Sequence, residues 1–80
     1  MTKEEIISKV NALLAEEFEV EEEVITPDAN IKKTLELDSL SLVDLVALID
    51  GEFGIKTNGA EMSKVLTFGE LYDFIAGKIA

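Results

Sequence analysis

Asp38-Ser39-Leu40-Ser41-Leu42-Val43-Asp44-Leu45-Val46-Ala47-Leu48-Ile49-Asp50-Gly51-Glu52-Phe53-Gly54 reads as one helix with two unlike sides. At about 100° per residue, Leu42, Leu45, Val46, Ile49 and Phe53 gather on a single stripe wide enough to face a core. Leu40, Val43 and Ala47 gather on the opposite side with Asp44, Asp50 and Gly51. Asp38 suits the N-cap position, because its carboxylate can accept the free amides of a first turn. Gly54 suits the stop, where a left-handed residue ends a helix without a Cβ penalty. An apolar strip edged by acids has two readings. It is either the scatter of exposed apolar residues found on any protein, or a docking face with apolar anchors and steering charges.

Outward from this helix, two more segments carry helical periodicity. Thr2-Lys3-Glu4-Glu5 matches a capping box, and Ile6, Val10, Leu13, Leu14 and Phe18 follow on one face. Thr67-Phe68-Gly69-Glu70 matches another, with Phe68, Leu71, Tyr72, Ile75 and Ile79 as its apolar face. A short helix is expected over roughly residues 60–65. Val24-Ile25 and Gly54-Ile55-Lys56-Thr57 are too brief to build a sheet. The connection from Glu19 to Leu37 is long for so small a domain, but Val24, Ile25, Ile31, Leu35 and Leu37 recur along it. It reads as a loop pinned onto the core. The expectation is therefore one all-α domain over residues 1–80, a small four-helix bundle with three main helices, a short third one and a long first loop.

Composition excludes whole classes of function. The chain has 80 residues with seven Lys, no Arg and 17 acids, a net charge of −10. A nucleic-acid binder needs a basic footprint, and an anionic membrane surface repels such a chain. Partners with basic patches are favoured instead. There is no Cys and no His, so disulfides, thiolate nucleophiles, a Ser-His-Asp arrangement and the commonest metal ligand are all ruled out. This argues against an enzyme acting by itself. Acids in Met1-Thr2-Lys3-Glu4-Glu5 occupy the place of a secretory signal's apolar stretch, and no apolar run spans a membrane. The expected address is cytoplasmic and the expected state a monomer.

Asp38-Ser39 is the other candidate feature. A helix N-terminus offers free amides and the positive end of the dipole, a favourable place for a phosphate. Asp38, Ser39 and Ser41 also read as capping residues alone, with Ser41 and Asp44 able to form a capping box.

The run Leu35-Glu36-Leu37-Asp38-Ser39-Leu40 resembles the Asp-Ser-Leu motif of acyl carrier proteins. Val24-Ile25-Thr26-Pro27-Asp28-Ala29-Asn30-Ile31 is similar to that family's first loop, Leu40 to Phe53 to its second helix, and Leu66-Thr67-Phe68-Gly69-Glu70-Leu71 to the start of its last. The resemblance covers nearly the whole chain and implies a bundle of acyl-carrier type. It implies a 4′-phosphopantetheine arm, derived from coenzyme A and esterified to Ser39, with Asp38 and Leu40 beside it. The arm would supply the thiol that a chain without Cys lacks. It also implies partner docking by Leu40, Val43, Asp44, Ala47, Asp50 and Glu52. Leu45, Val46, Ile49, Ile55, Met62 and Leu71 would line a cavity for the acyl chain, and each is equally a core residue. The implied partners are a phosphopantetheinyl transferase and the acyl-transferring and elongation enzymes of fatty-acid, polyketide or related lipid synthesis.

Four positions depart from the family's pattern: Glu36 where glycine is usual, Ser41 where an acid is common, Ala47 where a large apolar residue is common, and Gly51 where an acid is common. These changes thin the docking face and suggest a specialised member. Two alternatives stay open, a peptidyl or D-alanyl carrier and an unmodified acidic interaction domain. Because the chain opens with Met1 and ends just after the last helix, a free-standing carrier is expected. Glu16, Glu17, Glu19, Glu21, Glu22 and Glu23 form an acid cluster without an EF-hand loop, which reads as a solvated face and not a metal site. Added salt or magnesium is expected to raise the melting temperature by screening this self-repulsion. A melting temperature flat across ionic strength would contradict it.

Overall fold

Thr2 and Glu5 close the box that starts the first helix: the Glu5 amide donates to Thr2 Oγ1 and the Thr2 amide to Glu5 Oε1, each at 3.2 Å. In the computed structural model, which describes residues 2–57 and 59–79 without the side chain of Ser39, α1 runs Lys3–Phe18. A 3₁₀ turn at Glu22–Val24 leads to α2, Ile31–Leu35. Then come α3, Ser39–Phe53, α4, Gly59–Met62, and α5, Phe68–Ile79. Among the described residues there is no strand, only an isolated bridge between Asn30 and Thr67. Among the described residues no helix is long and apolar enough to cross a membrane.

The three long helices are those expected, and their apolar stripes meet. Ile6, Val10 and Leu14 of α1, Leu45 and Ile49 of α3, and Phe68, Leu71, Tyr72 and Ile75 of α5 are buried in one core with Met62 of α4. Leu13, Phe18, Leu42, Val46 and Phe53 pack partly buried around it. Ile79 departs from expectation: it is 36% exposed at the last turn of α5, where the stripe has run past the core. Tyr72 is buried and donates to Asn11 Oδ1, a tie between α5 and α1; burial pushes its phenol above the usual range. The short fourth helix is real but ends at Met62, because the Lys64 and Val65 amides turn back to Glu61 and Met62 in i→i+3 bonds.

The long first connection is more structured than a pinned loop. Asn30 caps α2 by accepting the Lys33 amide at 3.0 Å, and Ile31 and Leu35, four apart, bury its inner side. The segment before it is bonded to the start of α5. The Ile31 amide reaches Leu66 O at 2.9 Å, Phe68 reaches Ala29 O at 3.2 Å, and Gly69 reaches Pro27 O at 3.0 Å. A Cβ on Gly69 would meet Pro27 O at 3.0 Å, so the approach requires glycine there. Ile25 is buried as expected and Leu37 partly so, whereas Val24 is 45% exposed and does not pin the loop. It sits in the 3₁₀ turn, whose own i→i+3 bonds hold that stretch.

Glu36 occupies the C-cap of α2 in the left-handed conformation, φ 53°, with its amide on Lys32 O. That gives a physical reason why glycine suits the position: the turn needs positive φ, which any Cβ disfavours. Glu36→Gly is therefore expected to stabilise the fold by about 1 kcal/mol, seen as a higher urea midpoint at unchanged slope. A lower midpoint would show that the Glu36 side chain compensates for its backbone.

Candidate functional site

Asp38 sets the geometry of the α3 N-terminus. Its Oδ1 accepts the Ser41 amide at 2.8 Å and its carbonyl accepts the Leu42 amide at 3.0 Å. The Ser41 amide and hydroxyl hold the exposed Asp38 carboxyl below its usual value, because the ionised form is the better acceptor. The cap is thus fully made above the ordinary carboxylate range and lost as pH falls through the lowered value. Asp38, not Ser41 with Asp44, is the capping residue.

Ser39 is the first residue of α3. Its side chain lies outside the described residues, so the expectation that its hydroxyl faces water is neither met nor refused. Its surroundings are defined on both sides. Leu35 is buried and Leu37 half-buried, which anchors the incoming chain to the core, while Leu40 is 76% exposed. The position thus stands at the positive end of a 15-residue helix dipole, next to the exposed Asp38 and Leu40. A phosphodiester on Ser39 fits this position in charge, and the exposure of Asp38 and Leu40 leaves room for a long flexible arm.

Along α3 the acidic, apolar side divides into two. Leu40, Val43, Asp44, Ala47 and Gly51 are exposed, as a docking face requires. Asp50 is not on that face. It is partly buried, its Oδ2 accepts the Thr57 amide at 3.1 Å, and its carbonyl accepts the Ile55 and Gly54 amides. Asp50 Oδ1 and Thr57 Oγ1 are buried without a hydrogen-bond partner among the described residues. On the helical wheel Asp50 falls toward Val46, and one step of rotation separates a steering charge from a loop clamp. Glu52 also turns away, pairing with Lys9 of α1 at 3.4 Å, while Lys9 lies 5.8 Å from the Phe53 ring.

The six residues expected to line an acyl cavity do come together. Leu45, Ile49, Met62 and Leu71 are buried in the core cluster, with Val46 and Ile55 packed partly buried against it. Sequence reading missed a groove of about 400 Å³ between α1 and α3, lined by Glu17, Phe18, Asp44, Ala47 and Leu48. No signal within one helix could have found it, since two elements contribute. Among the described residues no group of acids is placed to hold a metal ion.

Comparison with known proteins matches residues 8–75 to the family described as the phosphopantetheine attachment site. The acyl carrier protein of Thermotoga maritima is 38% identical over 78 residues, spanning 98% of this chain and 96% of that protein. That of Thermosynechococcus vestitus is 35% identical, spanning 100% and 99%. A solved structure of the acyl carrier protein from Enterococcus faecalis superposes with a TM-score of 0.81 at 32% identity, covering 98% of this chain and 99% of that one.

The separation of Asp44 from Asp50 is directly testable. Asp50→Ala is expected to destabilise the fold by about 1–2 kcal/mol, because the Thr57 amide loses its acceptor. Asp44→Ala should stay within about 0.5 kcal/mol of the parent. Urea unfolding of both measures this, and equal effects would return Asp50 to the surface role.

Proposed function

The chain belongs to the acyl carrier protein family, with a covalently attached 4′-phosphopantetheine as its prosthetic group, and from that premise we propose that Ser39 bears the group and that the cargo is an acyl intermediate of lipid synthesis. The observation that carries this reading is Ser39 itself. It opens α3 directly behind the Asp38 cap, inside the matched residues 8–75.

The group supplies a terminal thiol for thioester chemistry, which a chain without Cys cannot furnish. The residues of the chain provide the platform. The α3 N-terminus offers its dipole and first-turn amides to the phosphodiester, and Asp38 keeps that turn wound. Fatty-acid synthesis is the usual setting of such carriers.

Leu40, Val43, Asp44 and Ala47 form the surface that partners with basic patches meet. Apolar contact gives residence, and the net charge of −10 gives steering. Asp50 and Glu52 contribute through the fold and the field, not through contact. Leu45, Val46, Ile49, Ile55, Met62 and Leu71 are the residues among which an acyl chain would lodge. They are packed here, so lodging requires α3, α4 and α5 to move apart.

Incubation with coenzyme A and a broad-specificity phosphopantetheinyl transferase should add one phosphopantetheine to the parent, read by intact mass, and none to Ser39→Ala. Ser39→Ala should keep the parent's circular dichroism, since Asp38 still caps α3. Modification of the variant would move the attachment to another residue. No gain on a folded parent, beside an active control carrier, would leave an unmodified interaction domain.

A further inference from the structure

Three lysines make a basic patch on this acidic chain. Asn30 and Thr67 form an antiparallel bridge, and the Ile31 amide donates to Leu66 O at 2.9 Å. In an antiparallel pairing the residues after Asn30 and those before Thr67 lie on the same side of the bridge. Lys32 and Lys33 of α2 therefore stand beside the stretch that carries Lys64 and Leu66. All three lysines are exposed, and Leu66 is 52% exposed. Residues 30–35 and 63–67 contain no acid, in a chain that has 17. The flanking Glu61 and Glu70 are engaged, Glu61 with Lys78 and Glu70 with the Thr67 hydroxyl. Among the described residues Lys3, Lys9 and Lys78 form the ion pairs, and the patch holds three of the other four lysines. Basic residues suit the last turn of a helix, which accounts in part for Lys32 and Lys33. It accounts neither for Lys64, which lies between α4 and α5, nor for the exposed Leu66.

We propose that this patch binds an acidic segment of a partner protein, with carboxylates at Lys32, Lys33 and Lys64 and an apolar side chain on Leu66. The inference rests on the carrier reading in one respect, that the segment belongs to a partner which also reaches Ser39, a few residues beyond Lys33. Such a partner is basic where it meets α3 and acidic where it meets α2. It matches this chain and is repelled by a carrier with acids in place of these lysines, so the patch selects among carriers. Nucleic acid and anionic membrane are disfavoured, because three lysines are a small footprint against a net charge of −10. A second copy of the chain is disfavoured by the same charge. At physiological salt the Debye length is about 8 Å. That is short beside a molecule measuring 29 × 25 × 20 Å, so the patch acts locally while the distant acids are screened.

The test is an NMR titration, at physiological salt, of the ¹⁵N-labelled full chain with a synthetic peptide of glutamates around a central pair of leucines. Its twin with glutamine for every glutamate keeps the shape and removes the charge. The glutamate peptide should shift the Lys32, Lys33, Lys64 and Leu66 amides and bind about five-fold or more tightly than the twin. Lys32→Gln with Lys33→Gln should erase about three-fold of that preference. Lys3→Gln with Lys9→Gln, the same change of charge on α1, should leave it intact. Equal affinity for the twins, shifts confined to Leu40 and Val43, or equal losses from the two double variants would overturn the proposal. So would a dimer in sedimentation that Lys32→Gln with Lys33→Gln dissolves, since the occupant would then be a second copy. Phosphopantetheine loading is read separately by mass. A chain that loads but ignores the glutamates loses this inference alone, and one that prefers them but never loads loses the carrier reading alone.

Discussion

The arrangement depends on three backbone hydrogen bonds between residues 27–31 and 66–69. Through Pro27 O, Ala29 O and Leu66 O, the first connection is fastened to the start of α5. The connection satisfies other amides locally, in the 3₁₀ turn and α2, and these three bonds are what tie it to a distant element. Once it is fastened, Asn30 can cap α2, Ile31 and Leu35 can reach the core, and α3 must begin at one place on the surface. The position of Ser39 is therefore set by contacts many residues away on both sides of it. Gly69 is what permits the bond to Pro27, since a side chain there would crowd the Pro27 carbonyl.

The α3 helix has two separate jobs, and its residues sort by a few tens of degrees of rotation. Leu45 and Ile49 are fully buried and hold the helix to α1 and α5. Leu40 and Val43 are largely exposed, which costs little free energy in a monomer but offers a partner apolar area. Charge completes the division. Asp44 faces solvent, Asp50 clamps the chain after α3 through the Thr57 amide, and Glu52 faces Lys9. A chain with 17 acids and seven Lys uses some acids as structure and leaves the rest as field. The exposed ion pairs contribute little to stability individually.

Two turns carry non-glycine residues in the left-handed region, Glu19 after α1 and Glu36 after α2. Both amides make the bond that closes the helix, to Ala15 O and Lys32 O. The geometry of each turn is thus kept although the residue is not the one the turn favours. At Glu36 this means that the departure from the family's usual glycine alters stability and surface charge near Ser39, while the path of the chain into α3 is retained.

Much of the fold was legible because helix periodicity and capping are local. Thr2 with Glu5, Asp38 with Ser41, and Gly54 announce helix ends within four residues, and the three apolar stripes follow the 3.6-residue repeat. The family resemblance was legible for the same reason, since Asp38-Ser39-Leu40 is one contiguous run. The short α2 was missed although Asn30, Ile31 and Leu35 signal it, because five residues hold too little periodicity to stand out from a loop. The exposure of Val24 and Ile79, the inward turn of Asp50 and the groove at Phe18 were not legible at all. Each depends on which distant element lies alongside, and a wheel drawn from one helix contains no neighbour. Sequence alone settled the three long helices, where they start and which serine stands at the head of α3. Only the tertiary structure decided which acids remain free for a partner, because burial and pairing are properties of packed elements, not of a residue and its nearest neighbours.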